Sequence, residues 1–187
     1  SGDANTITGT ANADNIIAAG GVDTITGGAG IDTIDLSESS AKTDTVIITS
    51  AATADRDIIT GFGATDILDL DESVFSSINF GGTGADAALA AADYSEIAAA
   101  GTIQADHVNV ITTAAGYADY ATAIAAVTGA ANGAEAFVVF FNSASGKTEL
   151  YFDADADDGD SGVLIAQLDI TGANLAGALS EANFSVF

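Results

Sequence analysis

The sequence contains no cysteine and no methionine, one histidine, and only 3 lysine and arginine residues together. Without cysteine there is no disulfide, no thiolate metal site and no cysteine nucleophile. A single histidine excludes the multi-histidine sites that hold zinc or iron. Three cations against 27 Asp and Glu leave a net charge of −24. That balance excludes nucleic acid and anionic membrane as partners, because both need cationic faces. No apolar run reaches the roughly 18 residues of a membrane span, so no membrane insertion is expected. The first residues also lack the charged-then-apolar pattern of a cleaved export signal.

What the chain does have is acid and small apolar residues. Its 187 residues suit one ordinary domain or two small ones. Of the 27 acids 21 are Asp and 6 are Glu, and 48% of all residues are hydrophobic. That apolar share separates the chain from disordered acidic tails and provides for a core. The charge opposes compaction by self-repulsion. Lys42, Arg56 and Lys147 are too few to offset it, so the counter-charge must come from solution, with divalent cations the obvious supply.

The first 36 residues repeat with a period of nine. Asn5, Asp14, Asp23 and Asp32 fall in one column, and Ile7, Ile16, Ile25 and Ile34 in another. The unit Gly27-Gly28-Ala29-Gly30-Ile31-Asp32-Thr33-Ile34-Asp35 matches the nonapeptide G-G-x-G-x-D-x-U-x at every position. The segment resembles the RTX repeats of proteins exported by type I secretion, which are calcium-bound parallel β-rolls. The residue chemistry agrees: glycines permit tight turns with exposed carbonyls, Asp supplies hard oxygen, and the x-U-x triplet is a short strand with U pointing inward. Two units per coil pair Asp14 with Asp32 and Asn5 with Asp23. The calcium ligands this implies are Asn5, Asn12, Asp14, Asp23 and Asp32, with turn residues Gly21, Gly28 and Gly30. Asn12 stands where the repeat has Gly, and Asn5 where it has Asp. The alternative is a row of ordinary β-turns without an ion. Ser1 and Gly2 fall inside a unit, and the register with the missing Met predicts a piece processed or excised from a longer protein.

After Asp35 the period breaks. Residues 45–49 and 57–62 are strand-like, and residues 56–70 are similar to the D-x-I-x-x-F…D-x-(I/L)-D-L segment that follows RTX repeats. Its sense is a last pair of strands closing the open end. Asp57, Asp66 and Asp69 are candidate ligands for a further calcium, or solvated turn residues. From Gly81 the composition shifts. Ala-rich residues 85–100 and 117–128 are expected to be helical, and Tyr117, Tyr120, Ile124 and Val127 share one helix face as core. Residues 106–111 read as a strand. Residues 137–141 and 148–152 form a hairpin about the turn 142–147, followed by a strand at 163–168. This ending resembles that of RTX-secreted proteins, which implies an uncleaved C-terminal export signal. The tail at 181–187 lacks the acidic residue plus three apolar residues found at some family termini.

Asp153, Asp155, Asp157, Asp158 and Asp160 are the densest acid cluster. It is no EF-hand, because the sixth and twelfth places hold Asp158 and Leu164 rather than Gly and Glu. The cluster is either a weak or intermolecular calcium site or a solvated hairpin loop. Gly146-Lys147-Thr148 fails as a phosphate loop, since position 141 is Phe. No Gly-x-Ser-x-Gly elbow accompanies His107, which reads as a strand histidine.

The expected fold is mainly β: a short calcium-bound parallel β-roll at 1–80, then a small α+β module at 81–187 with C-terminal hairpins. The expected function is a non-enzymatic structural protein of the bacterial cell surface. It would be secreted and extracellular, assembling with itself into an S-layer lattice or filament once calcium is present. Contact with anionic or polysaccharide surfaces would run through calcium. RTX-bearing S-layer proteins share this Ala/Thr/Gly/Asp composition. The competing readings are the export and folding module of a larger hydrolase or protease, and a calcium-stiffened adhesin end. Common to all three is coupling of ion binding to folding.

Overall fold

The computed structural model describes residues 2–75, 87–127, 135–156 and 162–187. The chain is mainly β. Strands β1 (Thr6–Thr8), β2 (Asn15–Ile17), β3 (Thr24–Thr26), β4 (Thr33–Asp35), β5 (Thr45–Ile48), β6 (Asp57–Thr60) and β7 (Ile67–Leu70) come first. Then follow β8 (Ala87–Ala88), β9 (Tyr94–Ile97), β10 (Val108–Ile111), helix α1 (Tyr120–Ala125), β11 (Ala136–Asn142), β12 (Lys147–Asp153), β13 (Val163–Leu168), helix α2 (Gly172–Leu175) and β14 (Phe184–Val186). No helix among the described residues is long and apolar enough to cross a membrane.

Successive early strands alternate between two sheets. A six-stranded sheet has the order β1-β3-β5-β7-β14-β8, and an eight-stranded sheet the order β2-β4-β6-β13-β12-β11-β10-β9. Pairing from β1 to β7 and from β2 to β6 is parallel, with Ile7 opposite Ile25 and Ile16 opposite Ile34. The central residue of each triplet therefore points between the sheets. Ile25, Ile34, Val46, Ile59 and Leu68 are fully buried there in one apolar cluster. Side chains of this shape suit pleated, half-buried positions. Truncating Ile34 to Val is expected to cost about 1 kcal/mol, read as a lower urea midpoint with an unchanged slope.

The two halves of the chain share both sheets. β13 pairs in parallel with β6, and β14 with β7. Phe137, Leu150, Leu168 and Phe184 belong to the same cluster as the inward isoleucines. The position where the composition shifts, near residue 81, lies outside the described residues. A second cluster forms where α1 lies against the eight-stranded sheet. It buries Tyr120 and Ile124 with Ile97, Ile111 and Phe140, and Tyr117 and Val127 pack on its margin. With a cluster on each face, β10 is buried at all four positions rather than alternating.

The helices are shorter than the composition suggests. Within 85–100 the described residues form β8, a 3-10 turn at Ala91–Asp93 and β9. Helix propensity is a weak preference, and here the parallel pairing of Tyr94–Ile97 with β10 overrides it. Among the described residues of the second stretch only Tyr120–Ala125 is helical, started by Asp119, whose side chain accepts the Thr122 N–H.

Candidate metal centre

Seven residues stand just before, or at the start of, the first seven strands: Asn5, Asp14, Asp23, Asp32, Asp44, Asp57 and Asp66. Parallel stacking brings them into two columns, Asn5–Asp23–Asp44–Asp66 along one edge and Asp14–Asp32–Asp57 along the other. Every carboxylate except that of Asp14 reaches back one coil. Asp23 Oδ1 accepts the Asn5 N–H at 2.8 Å, Asp44 Oδ1 the Asp23 N–H at 2.8 Å, and Asp66 Oδ1 the Asp44 N–H at 3.0 Å. On the other edge Asp32 Oδ1 accepts the Asp14 N–H at 2.8 Å, and the Asp57 carboxylate accepts that of Asp32. The spacing-derived pairs Asp14/Asp32 and Asn5/Asp23 are thus direct neighbours.

The second oxygens divide the column into two kinds. Asp14 Oδ2 accepts from the Thr10 N–H at 2.6 Å and hydroxyl at 2.9 Å, and Asp66 Oδ2 from the Gly63 N–H at 2.8 Å. By contrast Asp23 Oδ2, Asp32 Oδ2 and Asp57 Oδ1 are buried with no hydrogen-bond partner. These residues are only 1%, 0% and 5% exposed. Native proteins pair buried polar atoms almost without exception, and an unpaired carboxylate oxygen carries a large desolvation cost. Burial, and next the charge of Asp32, push the Asp57 carboxyl up to about 8. Burial also raises Asp44 and Asp66.

Two of the unpartnered oxygens converge. A Cβ on Gly27 would lie 2.3 Å from Asp32 Oδ2 and 3.0 Å from Asp57 Oδ1. One coil earlier, a Cβ on Gly9 would lie 2.1 Å from the Gly27 carbonyl oxygen and 2.9 Å from Asp14 Oδ2. The Asp14–Asp32–Asp57 edge therefore combines carboxylates and a glycine carbonyl around bare Cα atoms, a hard-oxygen set of the kind calcium takes. The opposite edge has Ala18 at the position equivalent to Gly9 and Gly27, so a methyl group occupies that place. Among the described residues no three His, Asp or Glu side chains group as a metal site. The fit rests on carboxylate pairs completed by backbone carbonyls.

The remaining candidates are placed differently. Gly21 and Gly30 take positive φ in their turns, as does Gly28, whose Cβ would meet the Thr10 carbonyl oxygen at 2.0 Å. Asn12 is exposed, with its N–H donated to the Thr10 hydroxyl at 3.2 Å. Asp69 sits within β7, away from both columns, and accepts the Ser185 hydroxyl at 2.5 Å. Asp153 is buried at the end of β12. Its Oδ2 accepts the Tyr120 hydroxyl and its Oδ1 the Asp155 N–H at 2.9 Å, which ties the strand to α1. Asp157 lies outside the described residues, as do Asp158 and Asp160. The sequence reading missed Asp44 and Asp55. Asp55 accepts the Gly30 N–H at 2.9 Å and the Ser50 hydroxyl at 2.8 Å, and the first of these bonds holds its carboxyl below the usual range. The signal for Asp44 was its place directly before Thr45-Val46-Ile47-Ile48, as Asp23 stands before Thr24.

No protein-family model matches the chain, and no curated protein matches it. Functional assignment therefore rests on the chemistry of the two carboxylate columns.

Proposed function

We propose that this chain is a calcium-ordered structural protein of the bacterial cell surface, built on a parallel β-roll and assembling with copies of itself. The observation that carries the reading is the pair of buried, unpartnered oxygens on Asp32 and Asp57 facing the bare Cα of Gly27. Two strands per coil, alternating between two sheets, agree with the roll that the nine-residue period implies. Asp14, Asp32 and Asp57 with the Gly27 carbonyl would hold the ion on one edge, and Asn5, Asp23 and Asp44 offer a second, less open place. Calcium, when bound, supplies the positive charge that three cationic side chains cannot.

The chain's own residues do the rest. Their carboxylates repel one another in the unfolded chain, which favours an extended, export-competent state where calcium is scarce. Once the columns are neutralised, the same side chains hold the strand-start N–H groups and let the isoleucines stack, so binding free energy becomes folding free energy. Calorimetric titration with calcium is expected to show saturable binding coupled to a gain of β signal in circular dichroism. Asp32→Asn should weaken that binding tenfold or more. Titration of Asp32→Asn indistinguishable from wild type, or no calcium response in either, would overturn the site.

A further inference from the structure

The last coil on the Asp14–Asp32–Asp57 edge turns differently from the two before it. Aligned on the column aspartates, the turns read Gly9-Thr10-Ala11-Asn12-Ala13-Asp14, Gly27-Gly28-Ala29-Gly30-Ile31-Asp32 and Ala52-Thr53-Ala54-Asp55-Arg56-Asp57. The second turn uses glycine at positive φ twice, 105° at Gly28 and 100° at Gly30. The third has no glycine: it is a 3-10 turn at Thr53–Asp55, flanked by Ala52 and Arg56 in extended conformation. Asp55 therefore stands where Gly30 stands one coil earlier, two residues before the column aspartate.

What Asp55 does there follows from the turn it faces. In the first turn the Thr10 hydroxyl accepts the Asn12 N–H at 3.2 Å, so that turn closes on itself. Position 28 is glycine and has no hydroxyl. The equivalent N–H, that of Gly30, is taken from the next coil by Asp55 Oδ1 at 2.9 Å. The Ser50 hydroxyl donates to the other Asp55 oxygen at 2.8 Å and steadies the carboxylate. Asp57 meanwhile accepts the Asp32 N–H. Arg56, between the two acids, donates to the Thr53 carbonyl of its own turn at 3.0 Å. Two carboxylates of one segment thus clamp two N–H groups of turn 27–32, which carries the Gly27 carbonyl and Asp32 Oδ2. Glycine at 27, 28 and 30 makes that turn entropically costly to order. A turn held in place beforehand binds with less of that cost left to meet.

We propose that Asp55 is a positioning residue of the cation site at Asp32 and Asp57: held on the Gly30 N–H, it fixes turn 27–32 at the width that calcium takes and a larger divalent cation does not. The inference rests on the calcium reading above and adds the residue that sets its selectivity. The ion's ligands remain the oxygens already described, and Asp55 acts on them through the turn. Discrimination among divalent cations depends on cavity size and on how rigidly the ligands are held.

The test titrates the full chain by calorimetry with calcium and, separately, with strontium, and the phase weakened in Asp32→Asn identifies this site. Asp55→Ala is expected to weaken calcium binding about tenfold, as loss of a ligand-orienting partner does. It should also lower the preference for calcium over strontium about threefold. The ratio is the decisive reading, because a variant that only destabilises the fold weakens both ions by one common factor. Val46→Ala, which opens the buried core beneath β5, is the control: its two affinities should drop together and its ratio stay that of wild type. Asp55→Glu keeps the charge and carries it one methylene further, so it should shift the ratio as alanine does. This variant decides the matter where Asp55→Ala fails to fold. No loss or an equal loss for both ions in Asp55→Ala, or a wild-type ratio in Asp55→Glu, overturns the positioning role and leaves the ion site standing. Wild type that takes up neither ion overturns the site, and the role of Asp55 falls with it.

Discussion

Asp57→Asn is expected to stabilise the calcium-free chain at pH 8 and to flatten its dependence on pH. In the unfolded chain this carboxyl titrates near 3.8, and in the fold near 8, because it is buried and faces Asp32. Below pH 3.8 it is protonated in both states and imposes no penalty. Between the two values the folded chain holds a proton that the unfolded chain lacks, so stability falls as pH rises, by about 1.4 kcal/mol per unit. Above the folded value the accumulated penalty is on the order of 5 kcal/mol. Asparagine is neutral throughout and offers an N–H₂ to the unpartnered Asp32 Oδ2. In chelator, melting of the variant at pH 8 should rise by about 10 °C, with little change at pH 5. Added calcium should raise the melting temperature of wild type well above that of the variant. Equal pH slopes in the two proteins would sink the assignment of Asp57, since repulsion among the other acids is common to both.

Gly27→Ala is expected to damage folding and calcium response together. Its methyl would fall 2.3 Å from Asp32 Oδ2, on a carboxylate that is fully buried and anchored by the Asp14 N–H. Neither side can yield without breaking the column, so a loss of about 3 kcal/mol follows, together with a calcium midpoint raised tenfold or more. Gly63→Ala is the matched comparison. Its Cβ meets only Asp66 Oδ2, at 3.6 Å, an ordinary contact, and the loss of a glycine should stabilise by up to about 1 kcal/mol through the unfolded chain. Denaturant melts and calcium titrations of both variants check the contrast. A Gly27→Ala protein as stable and as responsive as wild type would show that no ion pocket exists above that Cα.

Much of the coil was legible because its information is local. A nine-residue spacing places one inward isoleucine and one strand-start acid per unit, and the glycines needed at positive φ are visible as residues. The later coils were harder to read. Spacing along the columns grows from 18 residues for Asn5/Asp23 to 21 for Asp23/Asp44 and 22 for Asp44/Asp66, so Asp44 falls out of the period while keeping its place in space. Asp153 misled for the opposite reason. It belongs to the densest run of acids, yet its oxygens are taken by Tyr120 and Asp155. Glu149 gave no signal at all. It is buried within β12 as a carboxylate accepting from Asn142, Ser145, Tyr151 and Gln167 at 2.7 to 2.9 Å, and these partners come from the turn and three strands.

By itself the sequence determined the repeat, the inward column, the excess of acid and the want of internal counter-charge, since each follows from residue type and spacing along the chain. Only the tertiary structure decided which carboxylate oxygens find donors and which are left unpaired, that Tyr94–Ile97 is a strand, and that both halves share two sheets. Those outcomes depend on residues far apart in sequence meeting across a ladder or a turn. A hydrogen-bond donor brought from another coil removes an oxygen from the candidate site, and spacing along one strand carries no record of it.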